Sequence, residues 1–203
     1  MGKIKILFGP GGAGKDTVIE YILKHNFLKD KYVTDIKQYT TRSRRVNDSD
    51  DDRHVFITKD AYDELVKNEL AFACEKHNNY EGDVYYCYNA EDFKDLHKNY
   101  LVYGVSLCVV EGFIERFGKD MVDPIYITAS AYTRLNRMIN RESKELCAAV
   151  TDPVVHNACQ RIISDSHQYK GNRLREAGVD ITTNTIMNSG TIEEAAIKVL
   201  NLL

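Results

Sequence analysis

No stretch of this 203-residue sequence approaches the roughly 18 consecutive apolar residues needed for a membrane-spanning helix. The opening "MGKIKILFG" has too few apolar residues for a secretory leader. A cytoplasmic location with no membrane partner is therefore expected. Cysteine is sparse: Cys74, Cys87, Cys108, Cys147 and Cys159 are odd in number and show neither CxxC spacing nor a nearby histidine pair. This argues against a disulfide framework or a zinc site and predicts reduced thiols. Positive charge is not in excess either, since 27 Lys and Arg stand against 30 Asp and Glu for a net charge of −3. Basic residues are scattered apart from two local groups, which excludes a broad nucleic-acid face but leaves room for phosphate ligands. There is no internal repeat. The only low-complexity patch, "NDSDDD" (Asn47–Asp52), reads as a solvated loop.

What is present is an alternation. Runs of strand length occur at Lys3–Phe8, Lys31–Thr40, Tyr100–Val105, Pro124–Ala129 and Val179–Asn184. Helical patterns lie at Asp16–His25, Lys59–Asn68, Ala131–Asn140 and Thr191–Leu203. Ser130 and Thr191 are expected N-caps, with Glu193 and Glu194 in a positive first turn. Strands alternating with helices predict an α/β fold with a parallel sheet. A chain of this length buries roughly 70% of its unfolded surface, enough for one domain.

Between the first strand and the first helix stands "GPGGAGKDT" (Gly9–Thr17). Gly9, Gly11, Gly12 and Gly14, with Ala13 among them, let successive backbone N–H groups turn toward an anion. Lys15 begins the helix, where free amides and the helix dipole already favour negative charge. The pattern is that of a Walker A phosphate loop preceded by a strand and followed by a helix. Asp16 stands where a serine or threonine is usual, and Thr17 offers a hydroxyl one residue later. Both oxygens suit Mg2+, which keeps several waters, so Asp16 and Thr17 are candidate ligands directly or through water.

A second signal is "QYTTRSRR" (Gln38–Arg45), followed by a segment from Arg53 to Tyr86. With the loop, it resembles the guanylate kinase family, whose motifs run "GPSGAGKST", "STTRxPR", "DYxF" and "GNYYGT". "RLNRMINRE" and "QRIISDS" (Arg134–Glu142 and Gln160–Ser166) are similar to that family's lid, and "DITTN" to its "VIVND". The resemblance implies a P-loop nucleoside monophosphate kinase with three parts: a core at about 1–37, 91–133 and 166–203, an acceptor-binding insert at about 38–90 and a helical lid at about 134–165. It implies ATP as co-substrate, Mg2+ as cofactor, a small-molecule phosphate acceptor, and a monomer or homodimer.

Matched residue by residue, Arg42 and Arg45 fall on the arginines that hold the acceptor phosphate; guanidinium forks suit that task. Arg137, Arg141 and Arg161, with Arg134 beside them, fall in the lid, where they would cover the transferred group. Asn184 falls on a residue contacting adenine. The base-reading positions depart from the family. His54 replaces a phosphate-binding tyrosine, Tyr80 matches the first tyrosine of "NYYG", and Glu81 replaces the second. Phe72 aligns with the guanine-reading glutamate, while Glu75 lies three residues further on. Gln38 and Asp83 fall on hydroxyl positions that contact guanine, and only Tyr103 and Ser106 stand near the acidic positions of the third core strand. GMP is the first acceptor implied. A ribose bisphosphate is an alternative because relatives acting on that acceptor also carry "GKD" in the loop. A catalytically inactive binding module is a third reading; it would have no reason to keep Gly14 and Lys15 together with lid arginines.

Overall fold

The computed structural model describes residues 2–28, 31–44, 53–79, 82–145, 152–180 and 182–203. Its elements in chain order are β1 (Ile4–Phe8), α1 (Lys15–Lys24), β2 (Gln38–Thr40), β3 (His54–Phe56), α2 (Lys59–Lys67), β4 (Ala71–Asn79), β5 (Gly82–Asn89), β6 (Tyr100–Val105), α3 (Leu107–Phe117), β7 (Val122–Thr128), α4 (Ala131–Glu145), α5 (Asp152–Gln168), α6 (Gly171–Glu176), β8 (Thr185–Met187) and α7 (Ile192–Leu200). One four-stranded sheet has the order β6-β1-β7-β8, with β7 and β8 parallel. A second has the order β3-β2-β5-β4, with β2 parallel to β3 and antiparallel to β5. The α/β architecture with a parallel sheet flanked by helices is the expected one.

The apolar runs explain the first sheet. Ile4, Ile6, Leu7 and Phe8 of β1 and Ile125 and Ile127 of β7 are fully buried, the near-continuous burial of strands covered on both faces. Helix α1 buries Val18, Ile19 and Ile22, one stripe of its surface. Both expected caps are present. Ser130 Oγ accepts from Thr133 N at 3.1 Å. At α7, Thr191 Oγ1 accepts from Glu194 N at 3.2 Å while Glu194 Oε2 accepts from Thr191 N at 3.1 Å, a complete capping box.

Two expected strands are shorter than their apolar patterns. From Lys31–Thr40 only Gln38–Thr40 is a strand, and Val33 makes an isolated parallel bridge to Tyr100. None of the described residues of Val179–Asn184 is in a strand: the Asp180 carboxylate accepts from Thr182 N at 2.8 Å and from the Thr182 and Thr183 hydroxyls at 2.5 and 2.7 Å. A side chain that bonds its own following backbone makes a turn there, and β8 starts only at Thr185.

The chain divides into two compact units. One comprises Met1–Ile4, Asp30–Val102 and Cys108–Asp123; the other comprises Lys5–Lys29, Tyr103–Leu107 and Pro124–Leu203. The first is centred on aromatic rings, Phe72, Tyr88, Phe93, Phe113 and Phe117, which meet mostly edge to face. The second is centred on the aliphatic residues of β1, α1 and β7. No helix among the described residues is long and apolar enough to cross a membrane.

Candidate active site

The loop of the second unit turns on glycines with left-handed backbone, Gly12 at φ 73° and Gly14 at φ 88°. Gly14 is the N-cap of α1, and no side chain caps that helix. A Cβ at Gly14 would also stand 2.5 Å from Asn188 Nδ2, so both the dihedral and the space require glycine. Lys15 opens the helix, and its Nζ donates to Gly9 O at 2.8 Å and Pro10 O at 3.2 Å, spanning the loop. Burial lowers the Lys15 pKa from its usual value; Asp16 and Asp165 oppose that shift, and the Arg161 and Arg141 charges add to it.

The loop carbonyls are held from outside. Asn188 Nδ2 donates to Ala13 O at 2.8 Å, and Arg137 Nη1 donates to Gly12 O at 3.2 Å and Ala13 O at 3.3 Å. Because a trans peptide points its C=O and N–H in opposite directions, tying back Ala13 O turns the Gly14 N–H away from these two residues. Asn188 is itself buried, and its backbone N–H donates to Thr128 O at 2.7 Å at the end of β7.

A carboxylate completes the cluster. Asp165 Oδ2 accepts from Gly11 N at 3.0 Å and from Arg134 Nη1 at 2.9 Å. Burial raises the Asp165 pKa, while Arg134, the Gly11 amide, Arg161 and Lys15 hold that rise back. Arg134 is buried, and its Nε has no hydrogen-bond partner. Tyr169 Oη donates to Gly9 O at 3.1 Å. Of the four arginines expected over the transferred group, Arg137 donates to the loop carbonyls and Arg134 is paired with Asp165. Arg161 and Arg141 are exposed, with charges close enough to act on Lys15. Asp16 is half-buried at the end of β6, where a Cβ on Gly104 would stand 2.8 Å from its Oδ1. Thr17 is exposed, and Tyr103 and Ser106 flank that same Gly104.

Asn184, expected at the end of a strand, precedes β8 and donates its side-chain amide to Pro124 O at 3.2 Å. The residue past the end of β8 is Asn188. Asp165, Tyr169 and Asn188 are not singled out by the sequence: Asp165 lies within the matched "QRIISDS" segment, where only the arginine drew attention, Tyr169 lies beyond it, and Asn188 was displaced by misplacing the last strand.

In the first unit, strand register sorts the expected acceptor residues by face. Gln38 pairs with His54, Thr40 with Phe56 and with Tyr86, and Tyr86 with Glu75. Paired residues share a face and alternate residues return to it, so Gln38, His54 and Glu75 share one. Glu75 is nearly buried, 4.0 Å from His77 Nε2, and hydrogen bonding to it raises the His77 pKa. The Arg42 and Arg44 guanidinium groups both lie over the Phe56 ring, at 4.9 and 4.3 Å from its centroid. Arg44 was not singled out in the sequence.

Two expectations are corrected here. Through Tyr88, which alternates with Tyr86, Phe72 falls on the same face as Glu75, but it is buried, with its ring 4.8 Å from Phe113 and 5.3 Å from Phe117. An apolar ring in an aromatic core is not available to a base edge. Asp83 alternates to the opposite face and forms an ion pair with Lys76 at 2.7 Å. Arg45, Tyr80 and Glu81 lie outside the described residues.

The guanylate kinase family model matches residues 1–162. The chain belongs to the guanylate kinase family. It is 35% identical over 84 residues to the guanylate kinase of Mycoplasma mobile, covering 41% of this chain and 40% of that protein. Against the guanylate kinase of Mycoplasma genitalium it is 31% identical over 85 residues, covering 41% and 34%. The matched part thus spans well under half the length of these relatives. The crystal structure of guanylate kinase from Anaplasma phagocytophilum aligns over 86% of this chain and 92% of its own at 21% identity, with a TM-score of 0.49.

Proposed function

We propose that this protein is an ATP-dependent phosphotransferase that moves the γ-phosphoryl group of ATP to the phosphate of a nucleoside monophosphate, GMP first: GMP + ATP gives GDP + ADP. The observation that carries this reading is Lys15, an ammonium anchored across a glycine loop at the start of α1, with Arg137 and Asn188 fixing the loop carbonyls behind it. Phosphoryl transfer asks the protein chiefly for alignment and for positive charge around the transferred oxygens. Lys15 and the Gly14 amide serve the donor phosphates; Arg134 and Arg161 add charge at the Gly11 side of the loop. In the acceptor unit, Arg42 and Arg44 concentrate positive charge over Phe56, where a phosphate binds. Gln38, His54 and Glu75 supply a polar face for the acceptor's base.

Asp16 and Thr17 fit Mg2+ as hard oxygen donors at the start of α1, and Mg2+ bound there neutralises phosphate charge. Among the described residues there is no group of three or more His, Cys, Asp or Glu that could hold a metal ion.

The test is ADP formation from ATP and Mg2+ over a panel of nucleoside monophosphates and ribose phosphates. Turnover with GMP supports the proposal. Turnover on a ribose bisphosphate alone moves the acceptor to a sugar phosphate, and no turnover together with no ATP binding leaves a binding module.

A further inference from the structure

The β4–β5 ladder shifts register between Phe72 and Glu75. Phe72 faces Tyr88 and Glu75 faces Tyr86, so Cys87 stands opposite both Ala73 and Cys74. Two residues against one is a β-bulge, which re-aims the side chains on the bulged strand. Ala73 takes the turn with φ 48°. The bulge brings together two cysteines that are thirteen places apart in the sequence. The register makes Cys74 and Cys87 cross-strand neighbours whose thiols act on each other's titration, and the Tyr62 side chain of α2 acts on Cys74 as well.

The two sulfurs differ in environment. Cys74 is exposed and Cys87 is fully buried. Hydrogen bonding from Cys87 and Tyr62 favours the Cys74 thiolate and lowers its pKa to about 6 against the opposing effect of burial, while the same contact and burial push Cys87 upward. An accessible thiolate beside a sheltered second thiol is the arrangement in which a peroxide-sensitive cysteine sits next to the cysteine that resolves it.

We infer that Cys74 and Cys87 form a reversible thiol–disulfide couple, with Cys74 the site that reacts with hydrogen peroxide and Cys87 the resolving thiol. In the first step the Cys74 thiolate attacks a peroxide oxygen: an S–O bond forms, the O–O bond breaks, and the departing hydroxide takes a proton to become water. In the second, the Cys87 sulfur attacks the Cys74 sulfur of the sulfenic acid: the S–S bond forms, the S–O bond breaks, and the hydroxide leaves with the Cys87 proton as a second water. Two electrons pass from the two thiols to the peroxide, and a dithiol reductant returns them. The couple does not depend on the proposed kinase reaction.

The experiment treats the full chain with hydrogen peroxide, alkylates the remaining thiols and maps linked peptides by mass spectrometry without reduction. The expected result is a Cys74–Cys87 linked peptide that forms while Cys108, the other exposed thiol among the described cysteines, still alkylates, and that disappears on treatment with dithiothreitol. In Cys87→Ser, Cys74 should instead accumulate as a sulfenic acid that dimedone traps; in Cys74→Ser, Cys87 should stay alkylatable after unfolding. Cys74 that remains alkylatable when Cys108 is oxidised, or that links to any cysteine other than Cys87 in the unsubstituted chain, overturns the proposal. Thermal melting of both serine variants shows whether they retain the fold in which the comparison is made.

Discussion

Asp165 and Gly11 are joined by a 3.0 Å hydrogen bond from the loop N–H to the carboxylate, and the same oxygen accepts from Arg134 at 2.9 Å. A negative side chain therefore uses a donor of the very loop whose glycines suit it to phosphate. A phosphate approaching Gly11 meets a like charge and competes for the same N–H and the same guanidinium.

It follows that Asp165→Asn should bind ATP more tightly than the parent chain, by about tenfold, the effect of the roughly 1.5 kcal/mol that a hydrogen bond to a charged group contributes. Calorimetric titration with ATP and Mg2+ measures it. The effect should depend on pH with a defined sign. The folded chain holds the Asp165 proton more firmly than an ordinary carboxyl because burial raises its pKa. Below the usual carboxyl range both folded and unfolded chains are protonated there; as pH rises through that range toward the raised value, the unfolded chain loses its proton first, and stability falls. The affinity advantage of Asp165→Asn should accordingly shrink on acidification. An unchanged or lower affinity in the variant would mean that Asp165 only anchors Arg134.

Lys15→Ala should lower the rate of ADP formation by on the order of 10³-fold, since it removes a preorganised charge at the site of transfer. Lys15 bonds Gly9 and Pro10 only through its side chain, so circular dichroism should find the fold retained. Activity close to that of the parent chain would remove the loop from the mechanism.

Much of this was legible in the sequence because its physics is local. The strand–glycine–helix order around Lys15, the Thr191 capping box and the Ser130 cap all rest on spacings of a few residues. The Val179–Asn184 segment misled for an equally local reason: its β-branched residues read as a strand, but Asp180 bonds the hydroxyls that follow it. Helix α3 was missed although Leu107, Val110 and Phe113 recur at helical spacing and are buried. Phe72 could not have been placed by pattern at all. Its burial depends on Phe113 and Phe117, distant in sequence, and its return to the face of Glu75, three residues on, depends on a register shift that no spacing announces.

Asp16→Ser should keep or raise Mg2+-dependent activity, because it restores the hydroxyl usual after the loop lysine. Initial rates against Mg2+ concentration measure this, and a collapse of the rate at saturating Mg2+ would show that the carboxylate itself is required.

Phe72 and Glu75, three residues apart on β4, should separate cleanly. Phe72→Ala deletes a buried ring that meets Phe93, Phe113 and Phe117, and should cost about 3–5 kcal/mol in urea unfolding. Glu75→Gln keeps the shape but removes a carboxylate from the face shared with Gln38 and His54. It should raise the acceptor KM by about tenfold or more, because a donor on the bound base loses its charged partner, with the KM for ATP little changed. The His77 pKa, raised by Glu75, should fall toward the ordinary histidine value in the same variant, which NMR titration detects. An acceptor KM that rises in Phe72→Ala and stays constant in Glu75→Gln would reverse the assignment and return base reading to the aligned position.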